Sequence, residues 1–168
     1  MLLFTIATLC DYDYDYDYDY DYDYDYDDEE EDTSTDTGVY GFGDSFDFDE
    51  LEITFGSDYT FTTVDNQYSE HYGKDVVKVP VTITNNSTDT HGLNMFYYTI
   101  YGPSGTKVSN MATLFYFDND DVLDYAGDLR SGASYTKYMY FIYESAGTYV
   151  FEFDNYSEEV EVELEISK

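Results

Sequence analysis

The sequence predicts an all-β fold, an antiparallel β-sandwich of about 130 residues preceded by a disordered acidic Asp-Tyr tail. Three observations carry this. Apolar and polar side chains alternate with a period of two in run after run from Phe46 to Ile166. Glycine, asparagine and aspartate clusters separate the runs at short intervals, as they do between the strands of a sandwich. No segment keeps the 3.6-residue period of a helix for three turns.

The clearest strand is Val76 to Asn86, with Val77, Val79, Val81 and Ile83 on one face and Lys78, Pro80, Thr82 and Thr84 on the other. Its β-branched residues suit a half-buried pleated surface, and the following Asn-Asn-Ser is a turn signal. Proline donates no ladder hydrogen bond, so Pro80 predicts a sheet edge or a bulge. Upstream, Phe46 and Phe48 alternate with Asp47 and Asp49. The phase then slips by one at Asp49-Glu50, and Leu51, Ile53 and Phe55 alternate with Glu52 and Thr54. That slip predicts a bend or bulge between two short pieces.

Tyr59, Phe61 and Thr63 form a third short run before the polar loop Asp65 to Lys74. Leu93 to Tyr101 reads as a strand closed by the turn cluster Gly102-Pro103-Ser104-Gly105. Leu114 to Phe117 reads as a short strand, and Ser134 to Tyr143 as a long aromatic one. Ser145-Ala146-Gly147 is expected to return the chain so that Tyr149, Phe151 and Phe153 pair with that strand as a hairpin. In the last strand Val160, Val162, Leu164 and Ile166 oppose Glu159, Glu161, Glu163 and Glu165, so a one-residue slip would bury four carboxylates and the register is set. Seven to nine short strands at this spacing fit a sandwich of immunoglobulin type.

The chain of 168 residues divides by composition into an apolar segment (1–10), an acidic spacer (11–37) and the sandwich (38–168). Met1 to Cys10 is too short to span a bilayer and lacks a basic leader. Two readings remain: the end of a signal that stops at Cys10, a candidate lipid attachment site, or the last turns of a membrane helix. Either predicts an extracellular domain tied to the cell membrane through its N-terminal anchor only. Asp11 to Asp28 is almost wholly an Asp-Tyr repeat. Its crowded carboxylates repel one another, which predicts an extended spacer, and fully extended the stretch Asp11 to Thr37 would reach roughly 90 Å.

The formal charge is −32, from 38 acidic and six basic residues; from Gly38 onward 23 acidic residues face the same six, a net −17. This excludes nucleic acid as a partner and leaves cations, cell-wall glycan or a basic protein surface.

The succession Gly43-Asp44-Ser45-Phe46, Leu51-Glu52-Ile53-Thr54, Val79-Pro80-Val81-Thr82-Ile83-Thr84-Asn85, Tyr101-Gly102-Pro103-Ser104-Gly105, Leu129-Arg130-Ser131-Gly132 and Gly147-Thr148-Tyr149-Val150-Phe151 resembles the telokin-like, immunoglobulin-like domains of exported Gram-positive lipoproteins. The likeness spans about Val39 to Lys168 and lies in the order of strand and turn signals. It implies a β-sandwich outside the cell on an anchored chain, and it carries over no active-site residues.

No nucleophile-base motif occurs, and the two histidines, His71 and His91, lie in polar loops where solvated side chains are expected. An enzyme is therefore not expected. His71 with Glu70 and Asp75 would need a further ligand from elsewhere to hold zinc. Asp118, Asp120 and Asp124 are candidate calcium ligands in an acidic loop at 118–128, although Leu123 stands where an EF-hand needs glycine. No cofactor is expected beyond weakly held calcium. Tyr98, Tyr138 and Tyr140 lie on strands with aromatic residues on both faces; rings on the outward face would stack on sugars or anchor a protein. The expected function is a surface-tethered binding or structural module without catalysis. The alternative is a calcium-dependent accessory or adhesion module using the acidic loop.

Overall fold

A computed structural model describes residues 38–110, 121–123 and 126–168. They form eight strands and, among the described residues, no α-helix: β1 (Ser45–Phe48), β2 (Leu51–Phe55), β3 (Thr60–Thr63), β4 (Asp75–Asn85), β5 (Tyr98–Tyr101), β6 (Ser134–Ile142), β7 (Gly147–Asp154) and β8 (Glu159–Ile166). Five strands make one antiparallel sheet, in which β4 pairs with β6 along one side and with β2 and β3 in succession along the other. The second sheet is antiparallel β5-β7-β8.

The predicted periodicity governs β4 and β8. Val77, Val79, Val81 and Ile83 are buried together with Val162, Leu164 and Ile166, while the Glu159, Glu161, Glu163 and Glu165 row is exposed. Between the sheets lies a ring cluster in which Phe153 meets Phe46, Phe48, Phe55 and Tyr98 at centroid distances of 5.3 to 6.2 Å. Burial of this apolar surface is the main force that holds the sheets face to face.

Pro80 is not at an edge, because β4 is the central strand of its sheet. Its carbonyl faces the β2/β3 side, where the Gly56 N–H donates to it at 2.8 Å. In an antiparallel strand the N and O of one residue face the same neighbour. The donor that proline lacks would point at Gly56–Tyr59, the gap between β2 and β3, so no ladder bond is forfeited. A Cβ on Gly56 would lie 2.9 Å from the Pro80 ring, which is why glycine fits there.

The phase slip at Asp49-Glu50 is a two-residue hairpin turn, not a bulge. Both residues have positive φ, 53° and 61°, and Phe48 pairs with Leu51 across them. This is the backbone of a type I′ turn, usually made with Asn-Gly. The turn is held from the other sheet: the Asp49 N–H donates to Glu158 Oε2 at 2.8 Å, and Asn155 Nδ2 donates to Asp49 Oδ1 at 3.2 Å. His91 Nε2 lies 3.1 Å from Asp49 Oδ2. Left-handed backbone is costly for exposed Glu50, so Glu50→Gly is expected to stabilise the chain by about 0.5–1 kcal/mol in denaturant unfolding. An unchanged or lower midpoint would contradict that reading of the turn.

Two further expectations are corrected. Only Tyr98–Tyr101 of the run from Leu93 is strand, because the Asn94 carbonyl accepts from Tyr97 N–H at 2.9 Å and its side chain from Phe96 N–H at 3.0 Å, folding the segment into a turn. The segment after β6 does not form a hairpin with it: β6 belongs to the first sheet and β7 to the second. Tyr149 explains the crossing. Its buried hydroxyl accepts from Glu144 N–H at 2.8 Å and donates to Ser145 O at 3.2 Å, and its ring packs on Phe141 at 5.2 Å. A tyrosine near the start of a strand that bonds the backbone just upstream is the corner found in immunoglobulin-type sandwiches.

Burial pushes the Tyr149 hydroxyl's pKa up, and burial with the nearby Asp128 charge pushes that of Tyr135 up to about 12. A raised folded-state value means that the stabilisation is whole below pH 10 and is lost as pH rises through about 12, since unfolded tyrosines ionise first. Tyr149→Phe is expected to cost about 1.5 kcal/mol at neutral pH and to reduce the alkaline loss. Equal melting curves of variant and parent from pH 7 to 11 would refute the role given to the hydroxyl.

Candidate functional site

The outer faces of the two sheets differ. On the first, hydroxyls pair across strands: Ser45 with Thr54 at 2.7 Å, Thr82 with Thr136 at 2.8 Å and Thr84 with Ser134 at 3.1 Å. These donors and acceptors serve each other. On the second, carboxylates stand opposite carboxylates, Glu152 across from Glu161 and Asp154 across from Glu159. Like charges directly opposed destabilise a sheet, so packing alone gives no reason for them.

Where that acidic face meets the loop before β5, a cleft of about 240 Å³ opens between Phe96–Thr99 and Glu152, Asp154 and Tyr156. The local chain explains its walls. Asn94 opens the turn that leaves Phe96 78% exposed. Asp154 Oδ1 accepts the Tyr156 N–H at 2.7 Å, and Asn155 Oδ1 accepts the N–H groups of Ser157 and Glu158, a turn that holds Tyr156 at φ 72° with its ring 98% exposed. Thr99 faces Glu152 directly across the ladder. Among the described residues no hydrogen-bond donor reaches the half-buried Glu152 carboxylate, and none of the six basic residues of the chain lines the cleft.

The sequence-predicted tyrosines fall in different places. Tyr98 and Tyr140 are both buried: Tyr98 turns inward, which corrects the expectation of an outward ring, and Tyr140 shares the outer face with Lys78 and Tyr138 but is covered there rather than exposed as expected. Tyr98 turns inward because it pairs with core Phe153, although it still borders the cleft floor. Tyr138 lies on the outer face of the first sheet with Lys78 Nζ 3.7 Å above its ring, a cation–π contact that covers it. The predicted rings therefore do not form one patch. Phe96 and Tyr156 were not singled out by the sequence; an asparagine or aspartate turn immediately before each is the signal that would have found them.

Cys10, Asp118, Asp120 and Asp124 lie outside the described residues. Among the described residues no group of three His, Cys, Asp or Glu side chains is arranged to hold a metal. His71 is not solvated as expected: its side chain is 13% exposed, with Nε2 3.4 Å from Glu70 Oε1 but off the hydrogen-bond direction. His91 is engaged by Asp49.

The geometry defines an all-β sandwich with one aromatic and acidic cleft described on it. Solved structures share this fold. The yjhA protein of Bacillus subtilis superposes with a TM-score of 0.56 at 14% identity, over 76% of this chain and all of its own. The ycdA protein of Bacillus subtilis, a candidate lipoprotein, superposes with a TM-score of 0.54 at 17% identity, over 72% of this chain and 38% of its own. No protein-family model matches the sequence, and no curated protein does.

Proposed function

We propose that this chain is an extracellular, membrane-anchored binding module without catalytic activity, which meets its ligand through the cleft between Phe96 and Tyr156. The observation that carries this reading is the pair of exposed rings flanking Glu152, whose carboxylate no donor reaches among the described residues. Large apolar rings held outward contribute nothing to the core, yet supply contact area at low entropy cost. The anchored location is supported by the fold shared with a candidate lipoprotein, by the apolar segment ending at Cys10, and by the acidic spacer that would hold the sandwich away from a surface.

The test is retention of the purified chain on isolated cell envelopes of its host. Phe96→Ala/Tyr156→Ala is expected to lower retention about tenfold with the melting temperature unchanged, since both rings are exposed. Equal retention of the variant and the parent would reject the cleft as the binding site.

A further inference from the structure

We infer that the occupant of the cleft is the cationic side chain, arginine or lysine, of a basic polypeptide segment; this rests on the reading of the cleft as a binding site. Charge complementarity is the first reason. Glu152 and Asp154 are two residues apart on β7 and so point to the same side of the sheet, with Glu161 and Glu159 directly across on β8. Asp154 spends one oxygen on its own turn, whereas among the described residues no donor reaches Glu152. A half-buried carboxylate with another carboxylate opposite is relieved by an arriving cation, which gains a charge-assisted hydrogen bond there.

The rings provide the second reason. Phe96 and Tyr156 offer π-faces at the margin of an acidic cleft, a combination that attracts guanidinium and ammonium groups through the ring quadrupole. The Tyr138 ring shows the same chemistry within this fold, since Lys78 Nζ sits over it. Size is the third reason. At about 240 Å³ the cleft is smaller than the roughly 300–1,000 Å³ common for small-molecule sites, and it suits one or two side chains of a polypeptide lying across the face. The net −17 of the region from Gly38 onward would speed the approach of a basic partner.

The experiment measures fluorescence anisotropy of a labelled peptide of alternating arginine and glycine against the full chain. It is run at about 0.15 M salt, where screening confines charge effects to roughly 8 Å. Glu152→Gln/Asp154→Asn and Phe96→Ala/Tyr156→Ala are each expected to weaken binding about tenfold. Glu163→Gln/Glu165→Gln removes the same charge from the same face but away from the cleft, and is expected to stay within about twofold of the parent. Equal weakening by both carboxylate pairs, or no effect of the ring pair, would overturn the inference by reducing the binding to general acidity. A neutral chitin oligosaccharide, titrated in parallel, separates the two levels of the argument. If it binds in place of the peptide and is lost with the ring pair, the cationic occupant is wrong and the binding cleft stands. If neither probe binds, the inference is overturned, and the envelope retention assay alone then decides the cleft.

Discussion

Phe153→Ala is expected to lower the unfolding free energy by about 4 kcal/mol, read as a shift of the denaturant midpoint at constant slope. The ring is fully buried and touches Phe46 and Phe55 of the first sheet as well as Tyr98 beside it, so its loss opens a cavity where the sheets meet. Neighbours drawn from strands on both sides cannot all collapse into that space, which places the cost near the upper part of the usual range. Against a total stability of about 5–15 kcal/mol for a domain of this kind, the variant would be marginal at 37 °C. A loss below about 1 kcal/mol would mean that the ring cluster is not what joins the sheets.

Asn85→Leu is expected to cost about 3 kcal/mol although it adds apolar volume. Asn85 is, among the described residues, the fully buried polar side chain. Its Nδ2 donates to Asp89 O and to Leu129 O, each at 2.8 Å, and its Oδ1 accepts the Ser87 N–H at 2.8 Å. Leucine would leave the Ser87 N–H without a partner, at about 1–3 kcal/mol when buried, and would remove one of the two donors from each of Asp89 O and Leu129 O, which keep Ser87 Oγ and the His91 N–H. The two lost bonds add to that cost, and relaxation toward water around the exposed neighbours holds the total at about 3 kcal/mol. Asn85→Asp keeps the acceptor and loses both donated bonds, so it is expected to fall between the parent and the leucine variant. A leucine variant as stable as the parent would show that the turn at Ser87–Asp89 and its tie to Leu129 do not depend on this side chain.

The parts of the fold legible in the sequence are those in which one residue type per face fixes the phase. β4 and β8 have aliphatic residues on one face and polar residues on the other, and their burial follows the alternation. β5 and β6 have large apolar or aromatic side chains on both faces, so a period of two cannot say which rings are exposed: Tyr98 of β5 turns inward, and Tyr140 of β6 is covered on the outer face. The slip at Asp49-Glu50 was legible as a bend or bulge but not as a hairpin turn, because it has no glycine. Its left-handed backbone is held by Glu158 and Asn155, which lie more than a hundred positions away.

The crossing at Ser145-Gly147 is decided by the Tyr149 hydroxyl, while the turn residues themselves suit a hairpin equally well. For the cleft, the acidic row of β8 was visible and the exposed rings were not. Phe96 stands in a run that reads as strand and Tyr156 in the short segment between two strands, and the side-chain bonds of Asn94 and Asp154 hold the turns that leave both exposed.

The proline at the middle of β4 has a consequence for how this sheet can change. Its neighbouring edge is supplied by two separate pieces, β2 and β3, with Gly56 resting on the ring between them. The sheet thus has a joint, and extra residues added at Ser57-Asp58 would swell outward as a surface loop at small entropic cost, leaving the ladders on either side in register. A fold with such a joint can acquire a new projection beside its longest strand without renegotiating its core.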